Sequence, residues 1–336
     1  MKILVTGALG YIGSHTVLEL LKEKHEVILV DNLSNSSLNV LNKINKLTSK
    51  KNTFEKVDIR DTNLIIDILT RYQIDTIFHF AGLKSIPESL KNPNLYLDVN
   101  VNGTKSLLVA LEKVVDGRKT FIFSSSAAVY GNPKYIPIDE EHDLNPISPY
   151  GISKMNSEEE LKKTFKKKEN WSIASLRYFN PIGSESSYQL GDYQKKRDGN
   201  LMSYIGNVGL KKDPHLKIYG DDYNTNDGTG VRDFIHIQDL VEGHISALKY
   251  LNKNPPLIDF FNLGTGKGCS VLELINQFKK INNINIPYEV HSRREGDLEI
   301  SVAQVSKAKK ILNWKSKKNI SDMCFSAWKF ILKISL

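Results

Sequence analysis

Cysteine is scarce in this sequence: two residues in 336, Cys269 and Cys324, far apart and without metal or redox spacing around them. That excludes a disulfide framework and makes a reducing compartment, the cytoplasm, the expectation. No metal site is expected. Long apolar runs are missing as well. None approaches the ~20 residues of a membrane span. The opening "MKILVTG" enters structure at once, without the layout of a signal peptide. No membrane partner is expected.

Acidic residues are outnumbered, 38 against 46 basic ones, for a formal charge of +8. A surplus of that sign fits nucleic acid or a small anion. Much of it is local: "LKKTFKKKEN" (161–170) closes a helical stretch, where cations favour the helix C-terminus. A single aromatic residue, Phe165, lies among these lysines, short of the repeated interleaving that a base-stacking surface requires. Nucleic acid is therefore not an expected partner. With 40% hydrophobic and 25% charged residues, the composition is that of a soluble globular protein. The length suffices for a large core in two lobes.

What is present is an alternation. Short apolar runs ("KILVTG", "EVILVDN", "TIFHFAG", "TFIFSSS", "SIASLRYFN") are separated by helical patterns such as "SHTVLELLKE" and "NVNGTKSLLVALEK". Continuous apolar strands between helices predict an α/β fold, a Rossmann-type doubly wound parallel sheet, over 1–180. After Asn180 the pattern changes. "GSESSYQLGDYQKKRDGN" (183–200) reads as a long surface loop, and the remainder mixes helices with short strands. That predicts a smaller mixed α/β lobe over 181–336, with segments near 234–264 returning to the first sheet. The ligand is expected between the lobes.

The first strand runs into "TGALGYIG", where Gly7, Gly10 and Gly13 precede a helix from about Ser14. Glycines let the backbone approach a pyrophosphate, and the helix N-terminus offers free N–H groups and a positive dipole end. Asp31 closes the second strand eighteen residues after Gly13, near the spacing of a ribose-binding acid. It is expected to accept from both adenosine ribose hydroxyls and to repel a 2′-phosphate, and Asn32 adds no positive charge. The cofactor is expected to be NAD.

"SPYGISK" (148–154) places Tyr150 and Lys154 four apart, on one helix face, with Pro149 suited to the first turn. Upstream, "SSS" (124–126) ends a strand, at the sheet edge where open α/β folds bind ligands. A free tyrosine, with a pKa of ~10, is no base at neutral pH. A nearby ammonium and an oxidised nicotinamide both favour the phenolate. The spacing alone is common in amphipathic helices; the glycine loop and serine strand give it a catalytic meaning.

With these residues in view, the chain resembles the extended short-chain dehydrogenase/reductase family, and within it the enzymes that epimerise UDP-hexoses at C4. The motifs span nearly the whole sequence: "VTGALGYIGSHT", "DNLSNSS", "HFAGLKSIPES", "NVNGT", "FSSSAAVYG", "SPYGISK", "LRYFNPIG", "GTGVRDFIHIQDL", "FNLGTG" and "RREGDL". The resemblance implies that Tyr150 is the acid/base, Lys154 its partner and Ser126 the helper serine. It sets NAD against Gly7, Gly10, Tyr11, Ile12, Gly13, Asp31, Asn32, Asn35, Ser36, Asp58, Ile59, Phe80, Ala81, Gly82, Lys84, Asn100, Tyr150, Lys154, Tyr178 and Phe179. It also implies a homodimer packed through helices near 90–113 and 150–168.

An epimerase must grip the nucleotide while the 4-keto sugar turns over. Two phosphates suit arginine forks, offered by Arg232 in "GVRDF" and by Arg293 and Arg294 in "RREGD". The resemblance selects Arg232 and Arg294, with Asp297 for the uridine ribose and Tyr219 stacking on uracil. Ser126, Asn180, Asn200 and Leu201 complete the implied substrate contacts. Ser301, four residues after Asp297, stands where such epimerases carry either a bulky tyrosine or a small residue, so room for an N-acetyl group at C2 is expected.

Three departures are visible: Ala128 where a threonine is common, a basic "YQKKRDG" loop, and Gln304 where an acid is common. A 4,6-dehydratase of the superfamily would carry an Asp-Glu pair at Ala127 and Ala128, and two methyl groups transfer no protons. A UDP-uronate epimerase or decarboxylase remains open at this point. A cofactor-sensing scaffold would dispense with Tyr150 and Lys154.

Overall fold

A computed structural model describes residues 1–192, 201–294 and 296–335. Seven parallel strands form the main sheet: β1 (Lys2–Thr6), β2 (Glu26–Val30), β3 (Thr53–Glu55), β4 (Thr76–His79), β5 (Lys119–Ser126), β6 (Trp171–Tyr178) and, from much later in the chain, Ile258–Leu263. Their spatial order is Ile258–Leu263, β6, β5, β4, β1, β2, β3, so the order reverses between β1 and β4. That switch point opens a crevice at the carboxyl ends of the strands. β1 is buried on both faces, and its four-residue run Ile3–Thr6 is fully enclosed, which is why the strands read as unbroken apolar runs rather than alternations.

The helices that cover this sheet are α1 (Tyr11–Lys22), α2 (Leu38–Thr48), α3 (Thr62–Tyr72), α4 (Ile86–Lys91), α5 (Pro93–Tyr96), α6 (Gly103–Val114) and α7 (Pro149–Lys167). A π-helical turn, Leu97–Asn102, joins α5 to α6. One core, with Val5, Val17, Leu29, Ile122 and Leu176, lies on one face; another, with Leu4, Ile77, Leu107, Phe121 and Trp171, lies on the other. Each fully buried Leu or Ile contributes about 1.5–3 kcal/mol. The α/β class expected from the alternation is the one observed.

The remaining elements are β7 (Asn180–Ile182), α8 (Leu201–Gly209), β8 (Leu216–Tyr219), β9 (Val231–His236), α9 (Ile237–Lys253), β10 (the Ile258–Leu263 strand above), β11 (Gly268–Ser270), α10 (Val271–Asn282), β12 (Tyr288–His291), β13 (Ile300–Ser301), α11 (Ser306–Ile311) and α12 (Ile320–Ser335). β9 is central to a small mixed sheet: β7 and β13 pair with it parallel and β11 antiparallel. β8 and β12 form a separate parallel pair. A third core gathers Ile205, Ile218, Phe234, Leu274, Phe278 and Trp328 from α8, β8, β9, α10 and α12. Among the described residues no helix is long and apolar enough to cross a membrane, and both cysteines are free thiols.

Candidate active site

The glycine loop is built by close approach. Gly7 has φ +64°, and a Cβ there would lie 2.6 Å from the backbone nitrogen of Ala81; one on Gly13 would lie 2.2 Å from the carbonyl oxygen of Gly7. The loop after β1 therefore nests against the turn after β4. α1 begins with no side-chain cap at Gly10 and no acid in its first turn, which leaves its leading N–H groups suited to an anion. Tyr11 donates from its hydroxyl to the carbonyl of Gly183 at 2.7 Å, and Ile12 packs against the first core.

Asp31 is buried at the end of β2 and accepts from Leu9 N (3.1 Å), Leu33 N (2.9 Å) and Ser36 Oγ (2.7 Å). A carboxylate has about four acceptor sites, so about one remains for a ribose hydroxyl, where the sequence reading gave it two. Asn32 donates to Asp58 at 3.0 Å. The fork of Arg60 on Asp58, at 2.9 and 2.8 Å, holds that carboxyl well below the usual range. Ile59 is buried nearby and Asn35 is exposed on the loop before α2. No arginine or lysine stands among these contacts of Asp31, and a charge-free surround of that kind does not select a 2′-phosphate.

Beyond β4, Phe80, Ala81 and Gly82 line the loop opposite. A Cβ on Gly82 would lie 3.0 Å from Asn100 Oδ1 and 3.8 Å from Lys154 Nζ. Asn100 is buried; it accepts from Leu83 N at 2.8 Å and donates to Leu83 O at 3.1 Å and Ser153 Oγ at 2.8 Å, tying this loop to α7. Lys84 reaches instead to Asp192 at 3.4 Å, in the segment after β7. The uncapped start of α1 and the buried Asp31 together suit the pyrophosphate and ribose of a dinucleotide.

α7 starts at Pro149 with Ser148 as its cap, accepting from Gly151 N at 3.1 Å. Its start sits so near the turn after β5 that a Cβ on Gly151 would lie 2.5 Å from the carbonyl oxygen of Ala128. Lys154 is buried and donates to the carbonyl of Ser124 at 2.7 Å, with its Nζ 4.9 Å from the centre of the Phe123 ring. Burial lowers its pKa to about 8, against the opposing pull of Glu158. Tyr150 is pushed up from its ordinary value by burial, with a hydrogen bond from Ser126 acting the other way. The ammonium of Lys154, one turn on along the same face, is turned to the carbonyl of Ser124. The ring of Tyr96 meets that of Tyr150 edge-on at 6.4 Å.

The three serines divide by the period of the strand. Ser124 hydrogen-bonds the hydroxyl of Tyr178, Ser125 turns to Glu158 (2.6 Å), and Ser126 meets Tyr150. Phe179 is buried in a small cluster with Val129 and Tyr130.

The anion-binding candidates cluster around β8, β9 and β13. Arg232 lies in β9 and Ser301 is its register partner in β13, so both side chains face one side. Burial lowers Arg232 from its ordinary value while Asp297 supports its charge. Arg294 donates to both oxygens of Asp297, at 2.9 and 3.4 Å, and lies 4.6 Å from the ring centre of Tyr219. Arg293 turns away to Asp222 (2.7 Å) and the Tyr223 ring. Asn180 is exposed at the start of β7, opposite Phe234, and Leu201 opens α8. Asn200 and the basic loop before it lie outside the described residues. The two halves are joined where Ile138, on the β5–α7 connection, donates to Val302 O at 2.8 Å and accepts from Gln304 N at 2.7 Å. The side chain of Gln304 accepts from Ser306 N at 3.3 Å, at the start of α11.

Tyr96, Glu158, Arg177, Asp192 and His244 escaped the sequence reading, and Ser124 entered it only as part of the serine run. Glu158 alone carried a signal, at four residues beyond Lys154. His244 packs its ring 5.0 Å from that of Phe80 and 5.7 Å from that of Tyr178, a contact no spacing announces. Among the described residues no group of three or more His, Cys, Asp or Glu is placed to hold a metal ion.

A family model described as GDP-mannose 4,6 dehydratase matches residues 4–326. UDP-glucose 4-epimerase of Dictyostelium discoideum is 44% identical over 98% of this chain and 95% of its own. Two solved structures superpose closely. UDP-glucose 4-epimerase of Stenotrophomonas maltophila, with bound NAD and formylated UDP-arabinopyranose, gives a TM-score of 0.96 at 40% identity, covering 100% of this chain and 99% of the other. The Bifidobacterium longum UDP-glucose 4-epimerase, in complex with NAD+ and UDP, gives 0.94 at 40% identity, covering 99% and 98%.

Proposed function

We propose, from the premise that the chain belongs to the UDP-glucose 4-epimerase family of extended short-chain dehydrogenases/reductases, that it interconverts UDP-glucose and UDP-galactose as an NAD-dependent isomerase. The observation that carries this reading is the delivery of Tyr150 and Lys154 by one helix face to the serine end of β5. Bound NAD supplies a nicotinamide that accepts a hydride from C4 of the hexose and returns it to the opposite face of the 4-keto sugar.

The chain's own groups do the rest. Gly7, Gly10, Gly13 and the start of α1 hold the pyrophosphate, and Asp31 an adenosine ribose hydroxyl. Tyr150 takes the proton of the 4-hydroxyl and gives it back on return, with Ser126 hydrogen-bonding the same oxygen. Lys154 stays charged beside them. Arg232 and Arg294 take the diphosphate, Asp297 the uridine ribose, and Tyr219 the uracil face once Arg294 turns to phosphate. Ala127 and Ala128 occupy the turn after β5, where neither methyl offers the proton transfer that dehydration demands.

The small, buried Ser301 beside Arg232 favours a second substrate pair, UDP-GlcNAc and UDP-GalNAc. Exposed Leu90, Leu95, Leu97, Val109 and Ile152 on α4 to α7 favour a homodimer through that face, and the free thiols suit the cytoplasm. The deciding experiment is a substrate panel on purified protein: UDP-galactose, UDP-GalNAc and UDP-glucuronate. Turnover of UDP-galactose, with retained NAD seen by absorbance, is expected; turnover of UDP-glucuronate alone would overturn the assignment.

A further inference from the structure

Beneath the Tyr150–Lys154 face lies a buried ion pair with no part in the chemistry described above. Glu158 continues that face, four residues beyond Lys154, and is wholly enclosed. It accepts four hydrogen bonds: Ser125 Oγ at 2.6 Å, Ser175 Oγ at 2.9 Å, Arg177 Nε at 3.0 Å and Arg177 Nη2 at 2.7 Å. Ser125 is the middle serine of the strand whose neighbours hold Lys154 and Tyr150. Arg177 is also register partner of Ser125 across β5 and β6. It spans onward to Tyr130 Oη at 3.1 Å and Glu140 O at 3.3 Å, sandwiched by the rings of Tyr130 and Phe260 at 5.2 and 5.0 Å.

A buried ion pair gives little net stability over an apolar pair of the same volume, so its presence one turn from the reacting groups calls for another reason. We propose that Glu158 and Arg177 are positioning residues for the epimerase reaction: the pair fixes α7 against the serine end of β5 and keeps the Lys154 ammonium charged where Tyr150 works. This rests on the epimerase reading above. The groups placed against Lys154 are Tyr150 and Glu158 on the same face of α7, His79 from β4, and Ser124 and Phe123 from β5. Among them Glu158 is the anion that raises the pKa of Lys154, whereas burial lowers it to about 8; His79 is depressed by its burial first and by the nearness of Lys154 second. Removing the anion while the Arg177 cation stays strips Lys154 of its support and adds a repulsion.

The test compares Glu158→Gln with the apolar double variant Glu158→Leu/Arg177→Met, each as NAD-loaded holoenzyme turning over UDP-galactose. Glu158→Gln is expected to keep its NAD and a KM within about twofold, to lose kcat by about 10–100-fold, and to move the alkaline limb of its kcat profile down by about one pH unit or more. The double variant, with both charges gone, is expected to be as stable as the wild type and to show a smaller shift in the same direction. Alkaline limbs coinciding with the wild type in the folded variants, or a loss confined to KM, would overturn the proposal. So would failure of both variants to fold, which would assign the pair to the fold alone. A wild type inactive on UDP-galactose would instead overturn the epimerase reading, so the two failures are distinguishable.

Discussion

Lys154 donates through its Nζ to the carbonyl oxygen of Ser124 at 2.7 Å, the residue whose hydroxyl meets Tyr178. The ammonium is thus aimed at backbone rather than at a carboxylate, deep in the crevice, and burial lowers its pKa from 10.5 to about 8. In the unfolded chain the same lysine holds its proton up to about pH 10.5. Between pH 8 and 10.5 the unfolded state therefore binds more protons, and this group's contribution to stability rises with pH. Below pH 8 its burial is a standing cost of about 3 kcal/mol. Lys154→Met should accordingly be more stable than wild type at pH 7 and nearly inactive, with the stability gain vanishing by about pH 10. Urea unfolding at the two pH values checks this; a less stable variant at pH 7 would contradict it.

Tyr150 is raised by burial, with Ser126 as the group that opposes the rise. Tyr150→Phe removes the proton carrier and little volume. It should retain NAD and bind UDP, yet lose turnover of UDP-galactose by about 10³-fold, the scale of general acid–base catalysis and about 4 kcal/mol of barrier. Retained absorbance of the cofactor together with wild-type rates would remove Tyr150 from the mechanism. Ser126→Ala should cost less, about 10-fold, because the phenol survives.

Buried histidines, His79 among them, set the acid limit of the fold. His15, His236 and His244 are held down to about 4 by burial, against about 6.5 in the unfolded chain. The unfolded state takes up their protons first, so stability falls as pH drops from 6.5 to 4. His244 donates from Nδ1 to Leu240 O, 2.9 Å away, and its Nε2 has no hydrogen-bond partner among the described residues. His244→Leu should flatten the loss of stability over this range, which denaturation at pH 7, 5.5 and 4.5 would reveal. An unchanged slope would show that the other buried histidines carry it.

The parts legible in the sequence were those written in local spacing. Apolar runs marked the parallel strands, glycines the turn after β1, and the i, i+4 spacing the shared face of Tyr150 and Lys154. Contacts between distant segments were not legible. Nothing near Glu158 announces Arg177, nineteen residues on, or Ser125 on the preceding strand. Nor does anything near Lys84 announce its ion pair with Asp192, far along the chain. The short strands around β9, of two, three and three residues, carry too little alternation to be recognised. Yet one of them, β13, places Ser301 beside Arg232.

That pairing bears on substrate size. Ser301 is 6% exposed and shares a sheet face with Arg232, the proposed diphosphate ligand, so anything enlarged at 301 intrudes where the sugar leaves the phosphates. The neighbouring residue Val302 is fixed by Ile138, which denies the strand an easy retreat. Ser301→Tyr should therefore turn over UDP-galactose within about threefold of wild type and lose UDP-GalNAc by at least about tenfold, a rise of about 1.4 kcal/mol or more in the barrier for the larger sugar. Parallel assays of the two substrates decide it. Equal losses on both would mean that the tyrosine disturbs the Arg232 grip itself, and equal retention would place the sugar away from β13.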